Sequence, residues 1–91
     1  MKNKIKITVV GSGYVGMSLA VLLAQYNEVV VLDVDSIRVN KINNKQSTVA
    51  DVEIEKFLSE KELNLSATLD KQKAYKDASF VVVTTPTNYD E

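Results

Sequence analysis

Ile5-Lys6-Ile7-Thr8-Val9-Val10-Gly11-Ser12-Gly13-Tyr14-Val15-Gly16 is a short apolar run that enters Gly-x-Gly-x-x-Gly without a break. Ile5, Ile7, Val9 and Val10 make a segment too short for a helix and rich in β-branched residues, which predicts a buried parallel strand. Gly11 and Gly13 end it. From Tyr14 the apolar residues recur at three- and four-residue intervals (Val15, Leu19, Leu22, Tyr26), which predicts a helix, and Met17, Leu19 and Leu22 read as core. Asn27 is placed to stop this helix in a left-handed conformation. Strand, glycine turn and helix in that order form the context that a dinucleotide fingerprint requires. In such a turn Gly11 permits the tight bend, Gly13 lets backbone approach a pyrophosphate, and Gly16 lets helix pack on strand. The first helical N–H groups and the helix dipole then hold the phosphates without a basic side chain. The chain has three glycines, and all three lie in this motif.

Working outward, Val29-Val30-Val31-Leu32 is a second fully apolar strand, and Asp33 ends it. Asp33 stands 22 residues after Gly11, where a carboxylate can accept hydrogen bonds from the adenosine ribose hydroxyls. It would repel a 2′-phosphate, so NAD is expected rather than NADP. Asp35 reads more readily as a turn residue or helix cap. Ser36 is a candidate cap for a short helix to about Asn43 with Val39 and Ile42 inward. Arg38, in its first turn, lies near the expected adenine pocket. Tyr14 and Val15 fill the variable positions of the glycine motif and are expected beside the cofactor, together with Ser12.

Residues 46–50 read as a loop. Asp51 caps a helix in which Ile54, Phe57 and Leu58 share a face. A short strand follows at Leu65 to Ala67 or Thr68, then a brief helix capped by Asp70, then the strand Phe80-Val81-Val82-Val83. The order β-α-β-α-α-β-α-β with continuous apolar strands predicts an α/β fold, a Rossmann-type parallel sheet of order 3-2-1-4 flanked by helices. Thr85 and Thr87 flank Pro86 at the carboxyl end of the last strand, the side on which ligands of open α/β sheets lie, and are candidate cofactor contacts. The edge formed by residues 80–83 lacks the charges that usually guard an edge strand, so pairing with another chain is expected there. For the same reason the chain reads as part of a longer protein.

Composition narrows the function classes. A net charge of -1 gives no electrostatic case for nucleic acid or an anionic membrane. The chain has no cysteine and no histidine, which removes thiolate chemistry, disulfides and the commonest general base. No run of apolar residues is long enough to span a membrane, and no secretory pattern is visible, so a cytoplasmic protein is the default.

In combination, Gly11-Ser12-Gly13-Tyr14-Val15-Gly16, Leu32-Asp33-Val34-Asp35, Val39-x-x-Ile42-Asn43 and Thr85-Pro86-Thr87-Asn88 resemble the UDP-glucose/GDP-mannose dehydrogenases. The resemblance implies a longer, homodimeric parent with an NAD-binding domain, a central helix and a UDP-sugar-binding domain. It also implies two successive NAD-linked oxidations of a sugar C6 alcohol through a cysteine thiol, with none of the catalytic positions inside these 91 residues. What it carries onto this chain is cofactor contact: the glycine turn with Val15, Asp33 on ribose, Arg38, and Thr87. One departure is Ser47-Thr48, where the family often has Ser-Pro; it is expected to leave the cofactor contacts untouched. The rival expectation is a nucleotide-sensing regulatory domain of a channel or transporter, and a further one is a dehydrogenase of another nucleotide sugar.

Overall fold

Four short apolar runs become four parallel strands joined by helices. The computed structural model describes residues 5–84. In chain order the elements are β1 (Lys6–Val10), α1 (Tyr14–Leu23), β2 (Glu28–Leu32), α2 (Ser36–Asn43), α3 (Val52–Glu60), β3 (Leu65–Thr68), α4 (Lys71–Tyr75) and β4 (Phe80–Val83). The sheet order is β3-β2-β1-β4, as the sequence predicts, with β1 central. Ile7 pairs with Val29 on one side and Phe80 on the other, and Val10 with Leu32 and Val83. The carboxyl ends of β1, β2 and β4 therefore finish side by side, and the glycine turn leaves from their centre.

Right-handed crossovers decide which face each helix covers. The chain moves outward from β1 to β2 to β3, which puts α1, α2 and α3 on one face. It then returns from β3 to β4, which puts α4 on the other. The main core accordingly joins Ile7, Val9, Val29, Val31 and Ala67 of the sheet to Met17, Ala20, Val21, Val39, Ile42, Ile54 and Leu58 of the helices. The second face holds a smaller cluster of Val30, Leu32 and Ala74. Thr8 is fully buried there, and its hydroxyl donates to the Ala74 carbonyl of α4. Lys6 Nζ donates to the carbonyls of Lys73 (2.9 Å) and Lys76 (2.6 Å), so β1 grips α4 at three backbone oxygens.

The helix caps follow the sequence with one exchange. Asp51 and Asp70 cap α3 and α4 as expected. Asp35, not Ser36, caps α2, accepting from the N–H groups of Ile37 (2.9 Å) and Arg38 (3.4 Å). An extended residue whose carboxylate reaches two first-turn donors outcompetes a hydroxyl one position later.

The inward face of α1 departs from the periodicity. Gly16, Met17, Ala20 and Val21 are buried, whereas Val15, Leu22 (55 % exposed) and Tyr26 (86 % exposed) are turned outward. The helix is apolar all round, so spacing alone does not select a face. The constraint that selects it is the contact of Gly16 with the glycine turn, described below. The helix also ends earlier, at Leu23, and Asn27 keeps a negative φ; its side chain instead donates to the Leu23 carbonyl at 3.0 Å.

Candidate cofactor site at the glycine turn

The three glycines meet different constraints. Gly11 has a φ of 101°, and its N–H donates to the Leu32 carbonyl at 2.8 Å. A Cβ on Gly11 would lie 2.7 Å from Thr84 Oγ1 and 2.9 Å from the Thr84 carbonyl oxygen. A Cβ on Gly16 would lie 2.2 Å from the Gly11 carbonyl oxygen, which no side chain tolerates. These two are dictated by the polypeptide itself. Gly13 is different: its φ is -74°, and a Cβ there would meet nothing within 4 Å. The protein's own packing would accept a side chain at Gly13. The space it leaves open lies at the start of α1.

That helix start is built for an anion. No side chain caps α1, and its first turn holds no acidic residue. Among the described residues, the N–H groups of Gly13, Tyr14, Val15 and Gly16 have no protein acceptor. Unpaired donors at the positive end of a helix favour phosphate oxygens.

Asp33 lies across from this turn, at the end of β2. Its Oδ2 accepts from the Ser12 N–H (3.0 Å) and the Ser12 hydroxyl (2.6 Å), and its Oδ1 accepts from the Asp35 N–H (3.0 Å). Burial pushes the carboxyl up. The Ser12 hydroxyl, the Asp35 N–H, the Arg38 guanidinium and the Ser12 N–H together outweigh burial, and the group settles below its ordinary value. Asp33 is therefore a carboxylate throughout the neutral range. Three donors leave such a group room for about one more.

Of the other sequence candidates, Arg38 sits in the first turn of α2 with its Nε 3.8 Å from Asp35 Oδ2, close enough for its charge to help keep Asp33 ionised. Tyr14 and Val15 are exposed. Tyr14 borders a groove of about 510 Å³ between α1 and α3, walled by Val21, Leu22, Val52 and Phe57 among others. Thr85 and Thr87 lie outside the described residues.

Two contacts escape sequence reading. Thr84 donates from both its N–H (3.0 Å) and its hydroxyl (2.8 Å) to the Val10 carbonyl, and so presses against Gly11. Thr48, in the loop between α2 and α3, donates its hydroxyl to the Ser12 carbonyl at 2.5 Å. Position 48 is thus part of the glycine turn's support. No local pattern announces either contact, because the partners are 36 and 74 residues away.

Comparison with known proteins fits this geometry. Residues 5–91 match the model of the UDP-glucose/GDP-mannose dehydrogenase family, NAD binding domain. A UDP-glucose 6-dehydrogenase of Streptococcus pneumoniae is 58 % identical over 85 residues, which is 93 % of this chain and 22 % of the relative. A UDP-glucose 6-dehydrogenase of Campylobacter jejuni is 46 % identical over 88 residues, again 22 % of the relative. The chain therefore spans about a fifth of the length of these relatives. Among solved structures, a ternary complex of GDP-mannose dehydrogenase from Pseudomonas aeruginosa superposes with a TM-score of 0.79 at 30 % identity, covering 89 % of this chain and 19 % of that one. With a family model covering all but the first four residues, the chain belongs to the UDP-glucose/GDP-mannose dehydrogenase family, within its NAD-binding domain.

Proposed function

We propose that this chain is the N-terminal, adenosine-side part of the NAD-binding domain of a UDP-glucose 6-dehydrogenase. The observation that carries the reading is the open side of Gly13 beside four N–H groups that have no acceptor among the described residues, across from an ionised Asp33. A pyrophosphate fits the donors of Gly13, Tyr14, Val15 and Gly16, and needs the space a Cβ at Gly13 would take. Asp33 accepts from the ribose diol. One hydroxyl takes its remaining acceptor position, and the second takes the place of the Ser12 hydroxyl on Oδ2. A 2′-phosphate in the same place would face a carboxylate, which selects NAD over NADP. Arg38 flanks the adenosine end, and Thr85 and Thr87 would line the nicotinamide side.

With NAD bound, the chemistry available is hydride acceptance, which in the longer parent serves the two-step oxidation of the sugar C6 alcohol to a carboxylate. This chain's residues bind and orient; the nucleophile and the UDP-sugar site belong to the parent, so the 91 residues alone are catalytically inert. The identities of 58 % and 46 % favour UDP-glucose over other nucleotide sugars. A cytoplasmic setting and self-pairing through the exposed edge of β4 belong to the same reading; among the described residues no helix is long and apolar enough to cross a membrane. Calorimetric titration of the chain with NAD and NADP tests the site. NAD is expected to bind more tightly, and Asp33→Ala is expected to weaken NAD about tenfold, the effect of one or two charge-assisted hydrogen bonds. Equal affinity for both dinucleotides, unchanged by the substitution, would refute the ribose role.

A further inference from the structure

The Ser12–Gly13 peptide carries two groups with opposite duties. Its carbonyl oxygen accepts the Thr48 hydroxyl at 2.5 Å. Its N–H, on Gly13, has no acceptor among the described residues, and a Cβ on Gly13 would meet nothing within 4 Å. In a planar trans peptide the C=O and N–H point in opposite directions, so holding one end aims the other. The opposite orientation of this peptide would turn a partially negative oxygen toward the place where phosphate is expected. Gly13 has no Cβ to oppose that change, and the position a Cβ would take has nothing within 4 Å.

We propose that Thr48 is a positioning residue of the dinucleotide site, its hydroxyl holding the Ser12–Gly13 peptide so that the Gly13 N–H faces the pyrophosphate. The proposal rests on the dinucleotide reading above and adds to it a residue from outside the glycine motif. The loop that carries Thr48 is itself tied down. The Ser47 hydroxyl donates to the Val49 carbonyl at 2.6 Å, the Val49 N–H returns to Ser47 Oγ at 3.1 Å, and the Asp51 N–H closes on the Val49 carbonyl at 3.0 Å. Val49 packs against the main core. The brace therefore has a fixed base. Ser12, at the other end, is buried and stays bound through its N–H and hydroxyl to Asp33, so loss of the brace frees the Ser12–Gly13 peptide while the Asp33 side of the site keeps its own bonds.

The test compares the chain with Thr48→Val and Thr48→Ser by calorimetry with NAD, ADP and adenosine, and by amide NMR of Gly13. Thr48→Val is nearly the same shape without the hydroxyl. It is expected to weaken NAD and ADP about five- to tenfold, leave adenosine unchanged, and shift the Gly13 amide resonance. Thr48→Ser is expected to restore affinity for NAD and ADP. If the parent chain binds NAD and Thr48→Val binds it equally well, the brace is refuted while the dinucleotide reading stands. Equal weakening of ADP and adenosine would show general loosening and also refute it. A Gly13 resonance that does not move refutes the brace without reference to any ligand. A parent chain that binds neither NAD nor ADP overturns the dinucleotide reading itself, and the proposal with it.

Discussion

Gly13 and Gly16 are the same residue type under two different constraints, and substitution separates them. A Cβ at Gly16 would fall 2.2 Å from the Gly11 carbonyl oxygen, so Gly16→Ala must push α1 off the turn. Its expected cost is about 2–4 kcal/mol, the range for forcing atoms into a packed interior. A Cβ at Gly13 meets nothing in the protein, so Gly13→Ala is expected to cost less than about 1 kcal/mol, the difference between glycine and alanine before a helix. Urea unfolding measures both. Calorimetry should then show Gly13→Ala losing NAD at least about tenfold despite near-normal stability. Comparable destabilisation by both substitutions would contradict the assignment of Gly13 to an external ligand. At this scale Asp33 was legible as a carboxylate because its spacing from the motif is characteristic. Its grip on Ser12 was not, because nothing in the order of residues says that the two side chains meet.

Among the elements, α1 and α4 show how helices take their orientation from backbone contacts. The residues Tyr14–Leu23 are apolar on nearly every side, and of Met17, Leu19 and Leu22, which the sequence puts in the core, Met17 is buried and Leu22 is exposed. The closest approach in the turn, Gly16 on Gly11, rotated the helix so that Gly16, Met17, Ala20 and Val21 face the sheet. Gly16 and Ala20 let α1 lie near the strands, and Met17 fills the core beside them. The five-residue α4 is too short to be stable alone. It is held by the Asp70 cap, by Lys6, and by the buried Thr8 hydroxyl on the Ala74 carbonyl. Thr8→Val would leave that carbonyl without its buried donor, at a cost of about 1–3 kcal/mol. Hydrogen exchange should then quicken in residues 71–78 while α1 stays protected, and Thr8→Ser should restore protection. Uniform quickening across the chain would mean that Thr8 supports the whole fold rather than α4.

The two edges of the sheet differ among the described residues. At β3 the asparagine Asn43 exchanges two hydrogen bonds with the Ala67 backbone, at 3.0 and 2.9 Å, so the outer side of that strand is occupied by α2. Beyond β4 nothing comparable is present among the described residues, and Phe80, Val81 and Val83 are exposed. An apolar edge without charge is a template for another strand. Sedimentation velocity at rising concentration is expected to show the chain self-associating, and Val81→Lys is expected to return it to monomer. A monomer at the highest concentrations reached would contradict self-pairing through β4.

The alternation of short β-branched strands with capped helices sufficed for the sheet order, because right-handed crossovers leave few alternatives. The glycine motif and Asp33 sufficed to propose a dinucleotide site, because phosphate binding by backbone needs glycine at fixed spacing. Both are local requirements, written in consecutive residues. Tertiary structure alone decided which face of α1 is buried, that Asp35 rather than Ser36 caps α2, and that Thr48 and Thr84 support the glycine turn. These depend on distances between segments far apart in the chain. A hydroxyl that braces a peptide 36 residues away has the same sequence signature as one that faces water.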